Sequence, residues 1–478
     1  MKRFYITSTL PYINAKPHVG HAMEIIRADI IARHKRALLG KENVFFNTGT
    51  DEHGQKIADN AKKENLDPQV YANKMIENFY DLTKFFNISY DNFIRTTDKD
   101  HVKAAQKFWE VVKKNGHIEK RQYQVKYCVG CEMEKTDSEL VDGFCTDHQG
   151  KELQDINEEN YFFLASKFSD DLLKYYDTNP VIPDFRLNEI RSLIKREGMK
   201  DFSISRLKEK MSWGVPVPGD DNHVMYVWFD ALVNYISALG WGCDNQSNFE
   251  KFWESKETTV FQICGKDNLR PQSAMWQSML MAADIKNTDY IYVNGFVTSD
   301  GKKMSKTIGN VIDPIEVGNK YGADAVRFFV AKHLHNHEDG DWTKERFNEV
   351  YTADLVNGIG NLTNRILAMS SNAEIAMQDE LIFNRVNSLL EKYDFNGEMN
   401  MIWKSIAEMD DIISDKKPFK LIKEKPEEAK MILLGLLKSL WAVADWLEPI
   451  MPDTSGKIKT AIKNNKKPEE PIFPRIEL

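Results

Sequence analysis

Short apolar runs alternate with longer amphipathic stretches over the first third of the chain. Phe4 to Ser8 is a compact apolar run, and the segment Thr9 to Pro17, with two prolines and an asparagine, reads as a loop. A helix is predicted from about His21 to Leu39, stopping at Gly40. Val44-Phe45-Phe46-Asn47 reads as the next strand, and its lack of polar alternation predicts a strand covered on both faces, hence parallel. Strand, helix, strand, helix in this order predicts an α/β fold built on a doubly wound, Rossmann-type parallel sheet. Such sheets bind ligands at the carboxyl ends of their strands.

The segment 116–222 interrupts this pattern. It carries a cysteine cluster and the turn-rich stretch Trp213-Gly214-Val215-Pro216-Val217-Pro218, and reads as an insertion between two halves of the sheet domain. Strands are expected to resume with Val224-Met225-Tyr226-Val227-Trp228 and with Thr259-Val260-Phe261-Gln262-Ile263. After about Tyr351 the chain reads as helical throughout. Ile432, Leu433, Leu436, Leu437, Leu440, Val443, Ala444 and Leu447 recur at helix spacing, and Pro449 and Pro452 close that helix. The predicted division is a sheet domain over 1–115 and 223–296, an inserted domain over 116–222, a region over 297–352 that carries Lys303 and Lys306 and is expected to make stem contacts, and an all-helical bundle over 353–478.

Composition narrows the class. A chain of 478 residues is too long for one ordinary core, and length alone gives roughly three domains. The net charge of −8 argues against a general nucleic-acid coat, although Lys416-Lys417-Pro418-Phe419-Lys420 and the stretch from Lys457 to Lys467 supply local basic faces. No apolar run is long enough to span a bilayer, and strand residues begin where a signal peptide would have its apolar stretch. A cytoplasmic enzyme with no membrane partner is expected.

Three of the five cysteines cluster, with a histidine completing two tight pairs: Cys128-x-x-Cys131, thirteen residues, then Cys145-x-x-His148. Three thiolates and one imidazole suit tetrahedral zinc, and four protein ligands leave no open position. The predicted ion is therefore structural, one per chain. Cys243 and Cys264 stand apart from it.

Two further segments carry chemistry. His18-Val19-Gly20-His21 falls between a predicted strand and a predicted helix, where histidine N–H groups and a helix N-terminus meet phosphate oxygens. Gly20 permits close approach of backbone or nucleotide. Far downstream, Asp300-Gly301-Lys302-Lys303-Met304-Ser305-Lys306-Thr307 places mobile lysines in a loop, able to follow charge as pyrophosphate leaves. Attack of a carboxylate on the α-phosphorus of ATP needs positioning and charge stabilisation of this kind rather than an acid or base. In order and setting the two segments resemble the signatures of the class I aminoacyl-tRNA synthetases, and the resemblance extends over essentially the whole chain.

That resemblance assigns ATP contacts to His18, Gly20, His21, Lys303 and Lys306, with Lys306 the principal lysine and with magnesium accompanying the nucleotide. It puts Gly265 and Asp267, which follow the strand ending at Ile263, near adenosine. Val297, just before the lysine loop, is expected to cover the adenine ring.

Leu10-Pro11-Tyr12, Thr50-Asp51-Glu52-His53-Gly54 and Tyr226-Val227-Trp228-Phe229-Asp230-Ala231-Leu232, with Tyr235, are similar to the methionyl-tRNA synthetase family. Methionine needs a long apolar pocket with polarizable walls. The resemblance implies that Leu10, Tyr12, Trp228, Ala231, Leu232, Tyr235, Gln272 and Trp276 line it, and that Asp51 holds the substrate ammonium. Two positions depart from the family here. Pro271-Gln272 stands where Phe-His is usual, and Gln277 replaces a common proline. Methionine binding with an altered rearrangement of the pocket is expected.

Asn357, Asn361 and Arg365 are spaced by four and are predicted on one helix face, where the resemblance has Asn361 and Arg365 read anticodon bases. Asn357 fits a solvated face equally well. Phe419 stands where the family usually has a stacking tryptophan. The implied partners are methionine and the initiator and elongator methionine tRNAs, and a monomer is expected. Three alternatives stay open. A class I enzyme for leucine, isoleucine or valine would carry a longer insertion, and one for cysteine would place zinc in its amino-acid site. A paralogue that binds RNA without catalysis would not need both nucleotide motifs, and a small nucleotidyltransferase would need neither the bundle nor the knuckle.

Overall fold

The structure is a computed structural model that describes residues 2–129, 133–135, 140–146, 153–178, 181–304, 309–377 and 388–476. It divides into two compact units. The first comprises Met1–Lys16, Phe45–Asp81 and Tyr90–Val293, and the second Pro17–Val44, Leu82–Ser89 and Asn294–Leu478.

The first unit is built on a six-stranded sheet. Its strands are β1 (Arg3–Ser8), β2 (Val44–Thr50), β3 (Asn92–Arg95), β4 (Val181–Ile182), β5 (Thr258–Gly265) and β6 (Tyr290–Asn294), in the order β3-β2-β1-β5-β6-β4. β1 runs parallel to β5, β2 to β3, and β6 to β4. The expected strands at Phe4 and Thr259 are thus neighbours in register, Phe4 opposite Thr259 and Ser8 opposite Ile263. Phe4, Tyr5 and Ile6 are all buried, because helices and loops cover both faces of a central parallel strand. Chain order reverses between β1 and β5, so the crevice at their carboxyl ends is the topological switch point of the sheet. The core beside it is aromatic, with Trp109, Phe163, Phe229, Trp253 and Trp276 buried in one cluster.

The segment 116–222 carries its own antiparallel sheets. Ile118–Cys128 pairs along its length with Gln154–Phe163, and Asp220–Met225 pairs with Ser205–Leu207 and Pro216–Val217. This last pairing corrects the expectation at Val224 to Trp228. Met225 closes the small sheet opposite Ser205, the Tyr226 amide donates to Ile204 O at 2.8 Å, and the chain turns at once into a short helix, Val227–Leu232. A five-residue apolar run fits a buried strand or a buried helical turn equally well, and here the small sheet ends it.

In the second unit α1 (Val19–Leu39) begins two residues before the predicted start and ends at Gly40, whose φ is +90°. Asp29 and Arg27 of α1 are completely buried. Asp29 is ion-paired with Arg327 at 2.7 Å and Arg33 at 2.8 Å, and Arg27 donates to Asn294 and to the carbonyls of Val330, Leu334, His335 and Asn336. Burial works to raise the Asp29 carboxyl, but the Arg327 and Arg33 guanidiniums and two hydrogen bonds from Ser89 hold it below its ordinary value.

The helical region follows its hydrophobic pattern. Leu433, Leu436, Leu437, Leu440, Val443, Ala444 and Leu447 are all buried on the helix Pro426–Leu447, with Ile432 half-buried at the edge of the stripe. That helix packs on Asn361–Asn372, Phe395–Lys416 and Pro452–Lys463. No helix among the described residues is long and apolar enough to cross a membrane.

Candidate active site

At the switch-point end of the first unit, backbone pairing joins the two loops that carry the polar head of the expected amino-acid site. Tyr12 and Asp51 form an isolated parallel bridge, with the Asp51 amide donating to Pro11 O at 2.9 Å and the Ile13 amide to Asp51 O at 3.1 Å. Leu10 is buried beside them, and the Lys56 ammonium lies 5.7 Å from the Tyr12 ring centre. Gly265 ends β5, and Asp267 is exposed in the short turn that follows, so both leave the sheet at the carboxyl edge.

The expected pocket residues occupy consecutive short helices. Trp228 is half-buried, Ala231 partly exposed and Leu232 buried on α2 (Val227–Leu232), while Tyr235 is buried on α3 (Asn234–Ser237). The Tyr235 ring lies 5.8 Å from that of Trp276, and the Tyr5 hydroxyl donates to Tyr235 O at 2.7 Å. Trp276 also meets Phe108 at 5.9 Å and Trp253 at 6.3 Å, so three aromatic neighbours fix its ring.

Gln272 is buried in a π-helical turn, Pro271–Met275, that leads into Trp276. Such turns widen a helix by one residue and leave carbonyls in need of partners. Gln277 supplies one, because its Nε2 donates to Gln272 O at 3.1 Å and to Thr288 Oγ1 at 3.0 Å. Its Oε1 accepts from the Thr288 amide and from Asn287 Nδ2, each at 3.1 Å. Gln277 thus braces the turn that carries Gln272.

In the second unit the His18-Val19-Gly20-His21 segment forms a capping box made of imidazoles. The Gly20 amide donates to His18 Nδ1 at 3.1 Å, and the His18 amide donates to His21 Nδ1 at 3.2 Å. A ring nitrogen that accepts carries no proton, so in the neutral rings the N–H is at Nε2 of both histidines. The rings stack at 3.9 Å. Desolvation, and then the neighbouring His18, hold His21 well below the ordinary histidine value, so it acts as a neutral donor rather than a cation.

Gly20 is explained by the same geometry. A Cβ there would lie 2.9 Å from His18 Cε1 and 3.0 Å from Nδ1, so a side chain would displace the ring. Gly20→Ala is expected to lower the rate of ATP–pyrophosphate exchange about tenfold or more while leaving the KM for methionine near its original value. Unchanged exchange would show that the His18 ring position is not critical.

Lys303 lies at the end of a tight hairpin, Val297–Ser299 with Lys302–Lys303, whose turn residues Asp300 and Gly301 both have positive φ. Asp341 anchors the turn by accepting from the Gly301 amide at 2.8 Å and Thr298 Oγ1 at 2.7 Å. Lys303 is exposed, with its ammonium 5.2 Å from the Phe296 ring centre, and Val297 is buried in the hairpin. The Val19 amide donates to Ile312 O at 3.1 Å, which ties the start of α1 to the chain just beyond the lysine loop. Lys306 lies outside the described residues.

Of the four expected zinc ligands, Cys128 and Cys145 are buried at the ends of two hairpins, Cys128 opposite Met133 and Cys145 opposite Leu140. Cys131 and His148 lie outside the described residues, and among the described residues no three potential ligands cluster. A buried thiol on each of two short strand pairs fits the paired donor set that the spacing predicts.

The helix face expected for Asn357, Asn361 and Arg365 is broken. Tyr351–Gly360 is π-helical and Gly358 leaves helical geometry altogether, with ψ −110°, so Asn357 does not share α-helical register with the other two. Asn361 and Arg365 do share it, on Asn361–Asn372, where Asn361 is exposed and Arg365 is ion-paired with Asp410. Phe419 is 50% exposed at the start of the helix Pro418–Glu424, with its ring facing solvent.

One group in the first unit has no counterpart in the sequence reading. The Asp230 carboxylate is completely buried and lies 2.6 Å from His53 Nδ1 and 2.8 Å from His101 Nε2. Burial works to raise its pKa, and the two histidines overcome that and hold it down at about 2. The ionised carboxylate therefore stabilises the fold fully above about pH 4, and that contribution is lost as the pH falls through about 2. His53 and Asp230 lie in the same segments as Asp51 and Trp228.

Comparison with known proteins gives a consistent result. A family model described as tRNA synthetases class I (M) matches residues 4–367. The chain is 36% identical to a methionine–tRNA ligase of Fusobacterium nucleatum, over all of this chain and 80% of the relative. It is 38% identical to one from Thermotoga maritima, over 98% of this chain and 76% of the relative. Among solved structures, Mycobacterium tuberculosis methionyl-tRNA synthetase in complex with methionyl-adenylate superposes with a TM-score of 0.90 at 32% identity, covering 99% of this chain and all of that one.

Proposed function

The chain belongs to the class I methionyl-tRNA synthetases, and from that premise we propose how its residues divide the work. It activates methionine with ATP to methionyl-adenylate and then transfers the methionyl group to tRNA. In the first step a methionine carboxylate oxygen forms a bond to the α-phosphorus as the bond from that phosphorus to the β-phosphate bridge breaks, and pyrophosphate leaves. In the second, a terminal ribose hydroxyl of an initiator or elongator methionine tRNA attacks the acyl carbon and AMP leaves.

The observation that carries the site reading is the imidazole capping box. It fixes two adjacent Nε2–H donors at the start of a 21-residue helix. Neutral donors of this kind stabilise charge that grows on phosphate oxygens without a protonation step. His18 and His21 take this role, with Gly20 making room for the His18 ring. Lys303 and Lys306 neutralise the departing pyrophosphate of an ATP that enters as its magnesium complex. Gly265 and Asp267 take adenosine, and Val297 packs at its base. Asp51 binds the methionine ammonium, and Leu10, Tyr12, Trp228, Ala231, Leu232, Tyr235, Gln272 and Trp276 form the side-chain pocket.

Cys128, Cys131, Cys145 and His148 would hold one zinc ion, which would cross-link the segments around Cys128 and Cys145 within the 116–222 insertion. Cys131→Ser is expected to abolish stoichiometric zinc, measured by elemental analysis of the purified protein. Full occupancy in that variant would refute this ligand set. Region 297–352 carries the lysine loop and contacts the tRNA stem, and 353–478 binds the anticodon through Asn357, Asn361, Arg365 and Phe419. The exposed Phe419 ring supports this reading, since base stacking on an aromatic is worth about 1–3 kcal/mol. Phe419→Ala is expected to raise the KM for methionine tRNA about tenfold or more while leaving ATP–pyrophosphate exchange intact. An unchanged KM for tRNA would remove Phe419 from the interface.

A further inference from the structure

Asp230 joins three of the segments assigned above to the amino-acid site of the first unit, the Asp51 loop, α2 and α3. It lies between Trp228 and Ala231 on α2. His53, on its Oδ2, is two residues beyond Asp51. His101, on its Oδ1, reaches on through Nδ1 to Ser237 Oγ at 2.8 Å, and Ser237 is two residues beyond Tyr235 on α3. An ionised carboxylate only accepts, so both histidines donate to it, and His101 Nδ1 shares a hydrogen bond with the Ser237 hydroxyl.

The other groups around this cluster already have partners. Glu52 is held by Arg95 through two 2.8 Å contacts and by the Thr50 hydroxyl at 2.7 Å, and Asp98 accepts from the Arg95 amide at 2.9 Å. Trp213 packs its ring 5.3 Å from His53, donates from Nε1 to Glu52 O at 2.6 Å and accepts from the Gly54 amide at 3.1 Å. The loop 52–54 is therefore fastened on one side by Trp213 and on the other by Asp230.

We propose that Asp230 is a positioning residue for methionine, which through His53 and His101 holds the Asp51 loop, α2 and α3 in one geometry, so that the ammonium contact and the aromatic wall stay in register. The inference rests on the methionine-site reading given above. Residues that orient a binding group from behind affect the ligand they align more than the ligands they do not.

The test is methionine-dependent ATP–pyrophosphate exchange on the full chain. Asp230→Asn keeps the shape of the side chain but sets an amide N–H against one histidine N–H. It is expected to raise the KM for methionine about tenfold or more, with the KM for ATP within about twofold of the original, since small misplacements of a binding group carry costs of this order. His101→Gln, which retains an N–H, is expected to keep the methionine KM close to the original, and His101→Ala to raise it as Asp230→Asn does. This pair decides the matter even if Asp230→Asn does not fold. Equal methionine KM values for the two His101 variants, or KM values for ATP and methionine rising together, would overturn the inference. Asp51→Ala separates the two claims. If it leaves the methionine KM unchanged, the site reading itself fails. If it raises that KM while Asp230→Asn and His101→Ala do not, only the positioning role of Asp230 is lost.

Discussion

His21→Ala is expected to lower the rate of methionine-dependent ATP–pyrophosphate exchange about a hundred- to a thousandfold, the usual effect of removing one aligned donor from a developing anion. The His21 ring accepts the His18 amide at Nδ1, which directs its proton to Nε2. Its lowered pKa favours the neutral ring, so the rate should show no inflection from His21 at the ordinary histidine value. The stability consequence has the opposite sign to that of an ion-paired histidine. The folded state resists protonating His21, so stability is full above the ordinary histidine value and is lost as pH falls toward the depressed one. The substitution also opens one half of the capping box, at a cost of about 1 kcal/mol, so the melting temperature should fall by only a few degrees. A rate within threefold of the original would remove His21 from the phosphate contacts.

Arg327→Met is expected to lower stability in urea by about 3–5 kcal/mol, the usual range for stripping one partner from a buried ion pair. Arg327 and Asp29 are both completely buried and 2.7 Å apart. The same guanidinium donates to Phe86 O at 3.0 Å, Pro449 O at 2.9 Å and Ile450 O at 2.6 Å. Methionine fills much of the volume but leaves three carbonyls and one carboxylate oxygen short of a donor. Arg33 and Ser89 still contact Asp29, which keeps the loss from running higher. Because Asp29 lies on α1, the variant should also lose exchange activity at temperatures where the original is still folded. A loss under about 1 kcal/mol would mean that water replaces the guanidinium without difficulty.

The strands of the parallel sheet were legible because burial on both faces removes polar alternation, as at Phe4 to Ile6 and Val260 to Ile263. The bundle was legible because the stripe from Leu433 to Leu447 is long and regular. The chemistry of His18 and His21 could be read, but not their geometry. Imidazoles are rare helix caps, so the predicted helix began at His21 instead of Val19. Val224 to Trp228 misled because five apolar residues do not distinguish strand from helix, and only the partner strand at Ser205–Leu207 ends the extended run at Met225. Spacing by four implies a shared face only while the helix stays α, and the π-helical stretch through Gly358 breaks that condition for Asn357. The Asp230 cluster left no local trace, since its histidines are 177 and 129 residues away in sequence.

The pocket proposed around Tyr12, Asp51, Trp228 and Trp276 is expected to select methionine with Pro271-Gln272 in place. Amino-acid-dependent ATP–pyrophosphate exchange tests it most directly, with methionine compared against leucine, isoleucine, valine and cysteine on zinc-replete protein. Exchange with methionine, at a kcat/KM at least about a hundredfold above each of the others, is the predicted result. Preferred exchange with another of these amino acids, or none with any, would contradict it.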